Sequence, residues 1–226
     1  MLGRIVAAAK RVNRSPDDIK LVAVTKQVPL ERLFEAIGLG QYIFGENYVQ
    51  ESLGKIPAIR MATPRDTVFF HFLGNLQTNK AKKAAELFDV VETIDSAKLA
   101  NTLEKHLVSL QKTLVGYIQV NIGREKQKSG ILPEDCEKFL AELPHYHYLR
   151  ILGLMTIPPY SADPEEVRPF FRQLRELSEK LASKGLLGQH GPPELSMGMS
   201  GDFEVAIEEG ATVIRVGTAL FGTRLQ

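Results

Sequence analysis

Short apolar segments alternate along the chain with longer segments in which apolar residues recur every three or four positions. The short segments are rich in β-branched and aromatic residues, which is typical of buried strands. Val167–Leu181 shows the helical spacing of the longer segments. The pattern predicts eight strands separated by helices, with the strands at Lys20–Lys26, Gln41–Gly45, Thr67–Phe72, Val90–Ile94, Leu114–Val120, Leu149–Met155, Glu194–Met197 and Thr212–Val216.

Eight strand and helix pairs in 226 residues leave about 28 residues for each pair, close to the length of a strand with its crossover helix. The chain is therefore predicted to be an α/β protein, a single (β/α)₈ TIM barrel domain over residues 1–226. An open doubly wound sheet is the alternative, but no glycine-rich dinucleotide fingerprint follows the first strand. Residues 1–13 are expected to form an extra helix, and a plug in the N-terminal mouth of the barrel is one hypothesis for its place.

Composition narrows the classes of function. The chain is 44% hydrophobic and 24% charged, and its 28 basic and 27 acidic residues nearly cancel, so a nucleic-acid partner is not expected. No apolar run is long enough for a transmembrane helix, and no convincing targeting segment opens the chain. The single cysteine, Cys136, fits a reducing compartment. These features predict a cytoplasmic protein that has no membrane or nucleic-acid role.

Lys26 is the first candidate for chemistry. Active sites of (β/α)₈ barrels lie at the carboxyl ends of the strands, and Lys26 ends an otherwise apolar strand. An amine among apolar neighbours loses part of its proton affinity and can attack a carbonyl group. A solvated lysine at a strand end is the alternative interpretation, and the spacing alone does not decide between the two.

Arg215 is the second candidate. On the last strand it shares a face with Val213 and Gly217, while Ile214 and Val216 form an apolar face. A buried guanidinium requires an acceptor, which can be a carboxylate, a phosphate or a ring nitrogen. A salt bridge with an acidic residue of a neighbouring strand is the alternative.

Two segments near the end of the chain are rich in glycine and serine. Ser196–Asp202 follows the seventh strand, and Gly217 and Thr218 follow the eighth. These two loops commonly bind phosphate in such barrels, although Ser200 and Asp202 also fit as caps of a helix over Phe203–Glu209. Taken with Lys26 and Arg215, the loops predict a site for a phosphorylated carbonyl compound.

Other polar positions rank lower. His71 ends the third strand and fits either a pocket or a hydrogen-bonded core position. Asp95 follows the fourth strand. A basic cluster of Arg124, Lys126 and Lys128 lies after the fifth strand, where it could be a solvated surface or could attract an anionic ligand. Cys136 lies within a predicted helix and is expected to be inert.

Several ordered segments resemble the pyridoxal phosphate homeostasis proteins, a family similar to the N-terminal domain of alanine racemase and also called proline synthase co-transcribed. The resemblance covers nearly the whole chain. The segments that carry it are Lys20–Lys26, Phe44–Glu51, His71–Lys80, Gly153–Met155, Ser196–Asp202 and Ile214–Gly222.

The resemblance implies pyridoxal 5'-phosphate as the cofactor, bound as a Schiff base on Lys26. It also implies that Arg215 faces the pyridine nitrogen, that Ser200, Gly217 and Thr218 hold the phosphate, and that Asn47 and Met155 line the ring. A permanently charged arginine at that nitrogen weakens the ring as an electron sink. The chain also ends soon after the eighth strand, which leaves no room for the second domain of a racemase.

The favoured hypothesis is therefore a non-enzymatic protein that stores, buffers or delivers the cofactor. The resemblance suggests a monomer, and apo forms of cofactor-dependent enzymes or a regulatory protein are the candidate partners. A weak racemase or decarboxylase that uses the same cofactor is the alternative. A cofactor-free aldolase acting on a phosphorylated sugar through Lys26 is a third reading, with Asp95 as its best acid/base candidate. No metal site is predicted.

Overall fold

The computed structural model describes residues 1–64 and 66–222. Its eight strands are β1 Lys20–Val24, β2 Ile43–Glu46, β3 Phe69–Phe72, β4 Val90–Ile94, β5 Leu114–Gln119, β6 Leu149–Met155, β7 Glu194–Ser196 and β8 Val213–Val216. The α-helices in the described ranges are α1 Leu2–Arg11, α2 Leu30–Gly38, α3 Val49–Ala62, α4 Ala81–Leu87, α5 Ala97–Leu110, α6 Cys136–Glu142, α7 Pro164–Ser183, α8 Phe203–Glu208 and α9 Thr218–Phe221. Residues 65 and 223–226 of the predicted 1–226 domain lie outside the described residues.

The strands form one closed barrel in which each strand pairs in parallel with its neighbours in sequence. Closure is made by β1 and β8, where Lys20 pairs with Val213 and Val22 with Arg215. The predicted (β/α)₈ barrel is confirmed, and the open doubly wound sheet is wrong. All carboxyl ends of the strands consequently meet at one mouth of the barrel.

The eight predicted strands are all present, and their ends differ by a few residues. β1 stops at Val24 rather than Lys26. The amide of Thr25 still donates to the carbonyl of Gly45 at 2.8 Å, and the chain then turns through Gln27, whose φ is 58°. Lys26 therefore lies in the turn that follows the strand, at the mouth of the barrel.

Alternate strand residues pack in two separate apolar layers. The outer layer lies between the strands and the helices, as with Ala23 against Leu33. The inner layer fills the barrel, and its fully or largely buried members are Val22, Leu73, Val90, Tyr117, Met155 and Val213. The interior is thus a packed core, and any ligand has to bind above it, at the mouth.

Gly153 provides a test of the close pairing between β6 and β7. A Cβ atom there would lie 1.9 Å from the backbone carbonyl oxygen of Glu194. We expect Gly153→Ala to lower the free energy of unfolding by about 1–3 kcal/mol, since the two strands have to separate. Urea denaturation measures this loss. Gly54→Ala in α3, where no atom lies within 4 Å, is the control and should be neutral or stabilising.

The N-terminal helix α1 packs beside α8 in the outer layer. Arg4 and Arg11 form ion pairs with Glu204 and Glu208 at 2.7 and 2.6 Å. The buried residues of α1, Ile5, Ala8 and Ala9, belong to the outer apolar layer. The extra helix is confirmed, but its predicted role as a plug is wrong, because its apolar face is used against α8.

None of the helices within residues 1–64 and 66–222 has the length and apolar character that crossing a membrane requires.

Candidate functional site

Lys26 lies in the turn just beyond the end of β1 at the mouth of the barrel. Side chains alternate along a strand, so Lys20, Val22 and Val24 follow the inward face of β1. Val22 and Val24 belong to the inner apolar layer, and Lys26 is half-buried beyond them. The predicted nucleophile therefore follows a strand whose inward face belongs to the packed interior, at the end where the barrel opens.

Lys20 occupies the opposite end of the same face. Its Nζ lies 2.6 Å from Oε1 of Glu194, and the hydroxyl of Tyr117 donates to Oε2 of the same carboxylate at 2.6 Å. The Lys20 side chain is 47% exposed, so α1 does not bury it. Lys20 and Lys26 thus lie at opposite ends of β1, Lys20 as its first residue and Lys26 in the turn after it.

Arg215 is 4% exposed and points into the barrel from β8. Its Nη1 donates to Oγ of Ser196 at 2.5 Å, and its Nη2 donates to the carbonyl oxygen of Thr156 at 2.7 Å. These bonds fix the plane of a group that carries five N–H donors and can reach further acceptors. Since Thr156 follows Met155, the guanidinium lies beside the end of β6.

Glu92 supplies the counter-charge to Arg215. Its side chain is fully buried, and its Oε2 accepts a hydrogen bond from the Ser196 hydroxyl at 2.5 Å and lies 3.8 Å from Nη1 of Arg215. Nδ1 of His71 donates to Oε1 at 2.6 Å, because an ionised carboxylate can only accept. Four side chains from β3, β4, β7 and β8 therefore form one buried network.

The network explains the ionisation of its members. Burial alone raises the pKa of Glu92, but the hydrogen bond from His71, the charges of His71 and Arg215, and the Ser196 hydroxyl together lower it. Burial also lowers the pKa of Arg215, and Glu92 and Asp202 act against this. Arginine stays charged in proteins, so the interior holds a compensated ion pair.

The prediction that Arg215 needs an acceptor is confirmed. The alternative, a salt bridge to an acid on a neighbouring strand, is wrong about the strand, since Glu92 is on β4 and β8 pairs with β1 and β7. For His71, which was predicted to be either a pocket residue or a hydrogen-bonded core residue, the structure shows the core position, with 4% exposure.

The two glycine- and serine-rich loops lie against each other at the mouth. The amide of Arg215 donates to the carbonyl of Gly198 at 2.9 Å, and the amide of Ala219 donates to Oγ of Ser200 at 3.4 Å. Gly217 and Thr218 stand at the start of α9. Ser200, Gly217 and Thr218 are therefore brought together, as predicted.

Of the two predicted caps of α8, Asp202 does occupy the N-cap position, but its side chain makes no capping hydrogen bond. Asp202 is the residue before the helix, but its Oδ1 accepts from the amide of Met199 at 2.5 Å instead of from the helix. Burial raises the pKa of Asp202, while the Met199 amide and Arg215 lower it. The carboxylate thus fixes the loop that contains Ser200.

Asn47 follows β2 on the other side of the mouth. It borders a cavity of about 270 Å³ whose walls also include Gly74, Thr93 and Asn121. Oδ1 of Asn47 is buried and has no hydrogen-bond partner among the described residues. A Cβ on Gly74 would lie 2.0 Å from the Asn47 carbonyl oxygen, so the two segments are in close contact.

Glu46 points outward from β2 and is fully buried beneath α3. Its Oε1 accepts from the Thr25 hydroxyl at 2.8 Å and lies 3.3 Å from Nζ of Lys55. Burial raises the pKa of Glu46, and Lys55 and Thr25 only partly offset this effect. The carboxyl group therefore holds its proton more tightly than an exposed glutamate does.

Glu46→Gln tests this assignment through the pH dependence of stability. The folded-state pKa of Glu46 is above the ordinary value of 4.5, so its stabilising contribution is complete below 4.5 and is lost as the pH rises through the raised value. We expect wild-type protein to lose free energy of unfolding relative to Glu46→Gln across that interval. Urea denaturation of both proteins at a series of pH values measures the difference, and a constant difference contradicts the assignment.

The basic cluster after β5 is largely engaged within its own loop. Arg124 donates to Glu134 at 3.1 Å, and Lys128 forms an ion pair with Glu125 and donates to the carbonyl of Pro158 at 3.0 Å. Lys126 is exposed. These contacts favour a structural role for Arg124 and Lys128 over the attraction of an anionic ligand.

Cys136 is buried at the start of α6, and burial raises its pKa to about 12. A thiol that remains protonated is a poor nucleophile, which agrees with the prediction that Cys136 is inert.

Sequence reasoning missed three residues of this region: Glu92, Glu51 and Lys55. A signal for Glu92 was present, because it is a single carboxylate within the apolar run Val90–Ile94, all of which is buried. Glu51 and Lys55 gave a weaker signal, since an acid and a base four residues apart are common on exposed helices.

Comparison with known sequences gives a family match and relatives that share one name. Residues 2–225 match the family described as alanine racemase, N-terminal domain. The pyridoxal phosphate homeostasis protein of Aquifex aeolicus is 41% identical over 227 residues, which cover 99% of this chain and 95% of that protein. The protein of the same name from Escherichia coli K12 is 40% identical, covering 98% of this chain and 92% of its own length.

Solved structures agree with the sequence relatives. PipY of Synechococcus elongatus, solved with PLP bound, superposes with a TM-score of 0.83 at 35% identity, covering 98% of this chain and all of PipY. Alanine racemase of Clostridium difficile gives a TM-score of 0.72 at 16% identity, covering this chain and 57% of the racemase, and this likeness concerns the fold alone. The chain therefore belongs to the alanine racemase N-terminal domain family, among the pyridoxal phosphate homeostasis proteins.

Proposed function

We propose that this protein binds pyridoxal 5'-phosphate and takes part in the homeostasis of the cofactor, by storing, buffering or delivering it. The names of the relatives and the PLP-bound PipY structure support this proposal. The observation in the chain itself that carries it is Arg215, a buried cation held in a fixed plane at the base of the mouth.

The residues at the mouth fit the cofactor chemically. Arg215 offers N–H donors to a ring nitrogen, and the loops with Ser200, Gly217 and Thr218 offer hydroxyl and backbone N–H groups to a phosphate. The buried Oδ1 of Asn47 is an acceptor that a hydroxyl of the ring can satisfy. Met155 would provide an apolar surface beside the ring.

Lys26 is the residue we assign to covalent attachment. When bound, the cofactor supplies an aldehyde with which a lysine amine condenses to a Schiff base, releasing water. The turn after β1 that contains Lys26 lies at the mouth of the barrel, the same end as Ser200, Gly217 and Thr218, which supports this assignment.

The electrostatics of the site favour retention of the cofactor over catalysis. Arg215 can donate a hydrogen bond to a ring nitrogen but does not give up its proton at physiological pH. Its hydrogen bonds to Ser196 and to the carbonyl of Thr156 preserve its orientation, with Glu92 as the counter-charge. An unprotonated pyridine ring accepts electrons weakly, so the site is poorly equipped to stabilise a carbanion.

The visible absorption spectrum of the purified protein tests the function. We expect a yellow protein, or a colourless one that turns yellow with added pyridoxal 5'-phosphate, and borohydride should fix the cofactor on Lys26. A protein that takes up none of the cofactor would show the proposal to be wrong. Exchange of the α-hydrogen of an amino acid with solvent, lost in Lys26→Ala, would instead support the racemase or decarboxylase alternative.

A cytoplasmic monomer that passes the cofactor to apo-enzymes or to a regulatory protein remains our proposal for its cellular action. Light scattering of the purified protein checks the monomer. Recovery of activity by a cofactor-free enzyme, supplied only with the loaded protein, checks the transfer.

A further inference from the structure

Both chain neighbours of Lys26 are held by side chains from outside the barrel. The hydroxyl of Thr25 donates to Glu46 at 2.8 Å, and the carbonyl of Thr25 accepts from Nζ of Lys55 at 2.8 Å. On the other side, the amide of Gln27 donates to Oε1 of Glu51 at 2.6 Å. The backbone before and after Lys26 is therefore tied to β2 and α3.

The three charged residues that make these contacts also bind each other. Lys55 pairs with both Glu46 and Glu51, and its side chain is only 13% exposed. We call Glu46, Glu51 and Lys55 the outer clamp. Glu51 and Lys55 lie one helical turn apart on α3, and Glu46 lies on the outward face of β2, so none of the three extends into the barrel.

The turn needs such support. Gln27 has a φ of 58°, in the left-handed region that residues other than glycine enter at a cost. Regular pairing of β1 has already ended at Val24. Loss of the outer clamp removes the contacts to Gln27 and to the hydroxyl and carbonyl groups of Thr25 and leaves the backbone bonds of Thr25 to Gly45 and Val28. We expect the turn then to shift toward a more common backbone conformation, which would move the Cα of Lys26.

We propose that Glu46, Glu51 and Lys55 are positioning residues, which fix the origin of the Lys26 side chain so that its amine meets the cofactor aldehyde. The proposal rests on the proposed function. Within the outer clamp, the amine of Lys55 contacts the Thr25 carbonyl and the carboxyl groups of Glu46 and Glu51, so it is engaged in holding the turn.

The rate of covalent capture tests the proposal. Cofactor-free protein is mixed with pyridoxal 5'-phosphate, and borohydride is added at successive times to fix what has formed. We expect Glu51→Ala and Lys55→Met each to slow capture by about tenfold or more, because a misplaced nucleophile reacts slowly. Arg60→Met is the matched control: it removes two 2.9 Å hydrogen bonds from α3 to Asp89, away from Lys26, and should leave the rate unchanged.

A double-mutant comparison separates positioning from general structural damage. In a Lys26→Ala background, adding Glu51→Ala should leave the noncovalent affinity for pyridoxal 5'-phosphate unchanged, since there is no amine left to position. An equal loss of affinity in both backgrounds, or an unchanged capture rate in Glu51→Ala, overturns the proposal. Glu51 is partly exposed, so this variant keeps the test valid if Lys55→Met does not fold.

The two proposals fail in different ways. If Lys26→Ala still acquires borohydride-stable cofactor at the wild-type rate, the assignment of Lys26 in the proposed function is wrong, and the outer clamp proposal falls with it. If Lys26→Ala loses the label while Glu51→Ala and Lys55→Met capture cofactor normally, only the outer clamp proposal is wrong.

Discussion

Replacing Lys26 with alanine should abolish covalent capture of pyridoxal 5'-phosphate. The reason is chemical: the variant lacks the amine that we assign to the condensation, and Arg215 and the phosphate loops cannot form that bond. Wild-type protein treated with cofactor and borohydride should gain the mass of one reduced cofactor on the peptide that contains residue 26. Lys26→Ala should gain no mass there and should keep only binding that dialysis reverses.

Lys20→Ala is the matched control for this experiment. Lys20 lies at the start of β1, the strand that Lys26 follows, and pairs there with Glu194 at 2.6 Å. The Lys20→Ala variant should capture cofactor as wild type does, with at most a small loss of stability because the Lys20–Glu194 pair is half-exposed. Normal labelling of Lys26→Ala, or loss of labelling in Lys20→Ala, would contradict the assignment of the two lysines.

Replacing Arg215 with methionine should strongly destabilise the cofactor-free protein. The variant leaves the carboxylate of Glu92 fully buried, with His71 and Ser196 as its remaining partners. Removing one member of a buried ion pair costs about 3–5 kcal/mol. Urea denaturation at neutral pH should show a loss of this size, and cofactor retention should weaken as well, because the cation at the base of the mouth is gone.

Two further variants test whether the loss of stability in Arg215→Met comes from the unpaired charge of Glu92. Adding Glu92→Gln to Arg215→Met should restore part of the stability, so that the double variant is less destabilised than the sum of its parts. Arg32→Met, which breaks an exposed pair with Glu35, should change stability by about 0.5 kcal/mol or less. A loss below about 1 kcal/mol for Arg215→Met would mean that Glu92 is not held as a buried anion.

Local patterns were sufficient to predict the barrel. Most strands are short apolar runs with β-branched or aromatic residues, and helices such as α7 repeat their apolar residues at helical spacing, so both signals are contained in neighbouring residues. The regular repetition of strand and helix then favours a closed barrel over an open sheet. The end of β1 was mispredicted because the chain leaves the strand at a turn through Gln27, a residue that carries no general preference for a left-handed conformation.

The site was predictable only in part. Lys26 and Arg215 are single charged residues in apolar strands, and such exceptions stand out in one sequence. The partner of Arg215 could not be found in this way, because Glu92 precedes it by more than a hundred positions and meets it only when the barrel closes. The helix α1 was misplaced for a related reason: its apolar face was evident, but its partner, α8, lies at the other end of the chain.

The buried network also bears on how the barrel folds. Glu92 comes from the first half of the strands, whereas Ser196 and Arg215 come from the last two. An assembly of β1–β4 alone would hold a carboxylate that has only His71 to compensate it, and β5–β8 alone would hold a guanidinium that has lost Glu92 and keeps only Asp202 to offset its charge. Neither half is then expected to be stable by itself, and the eight strands should form in one cooperative transition.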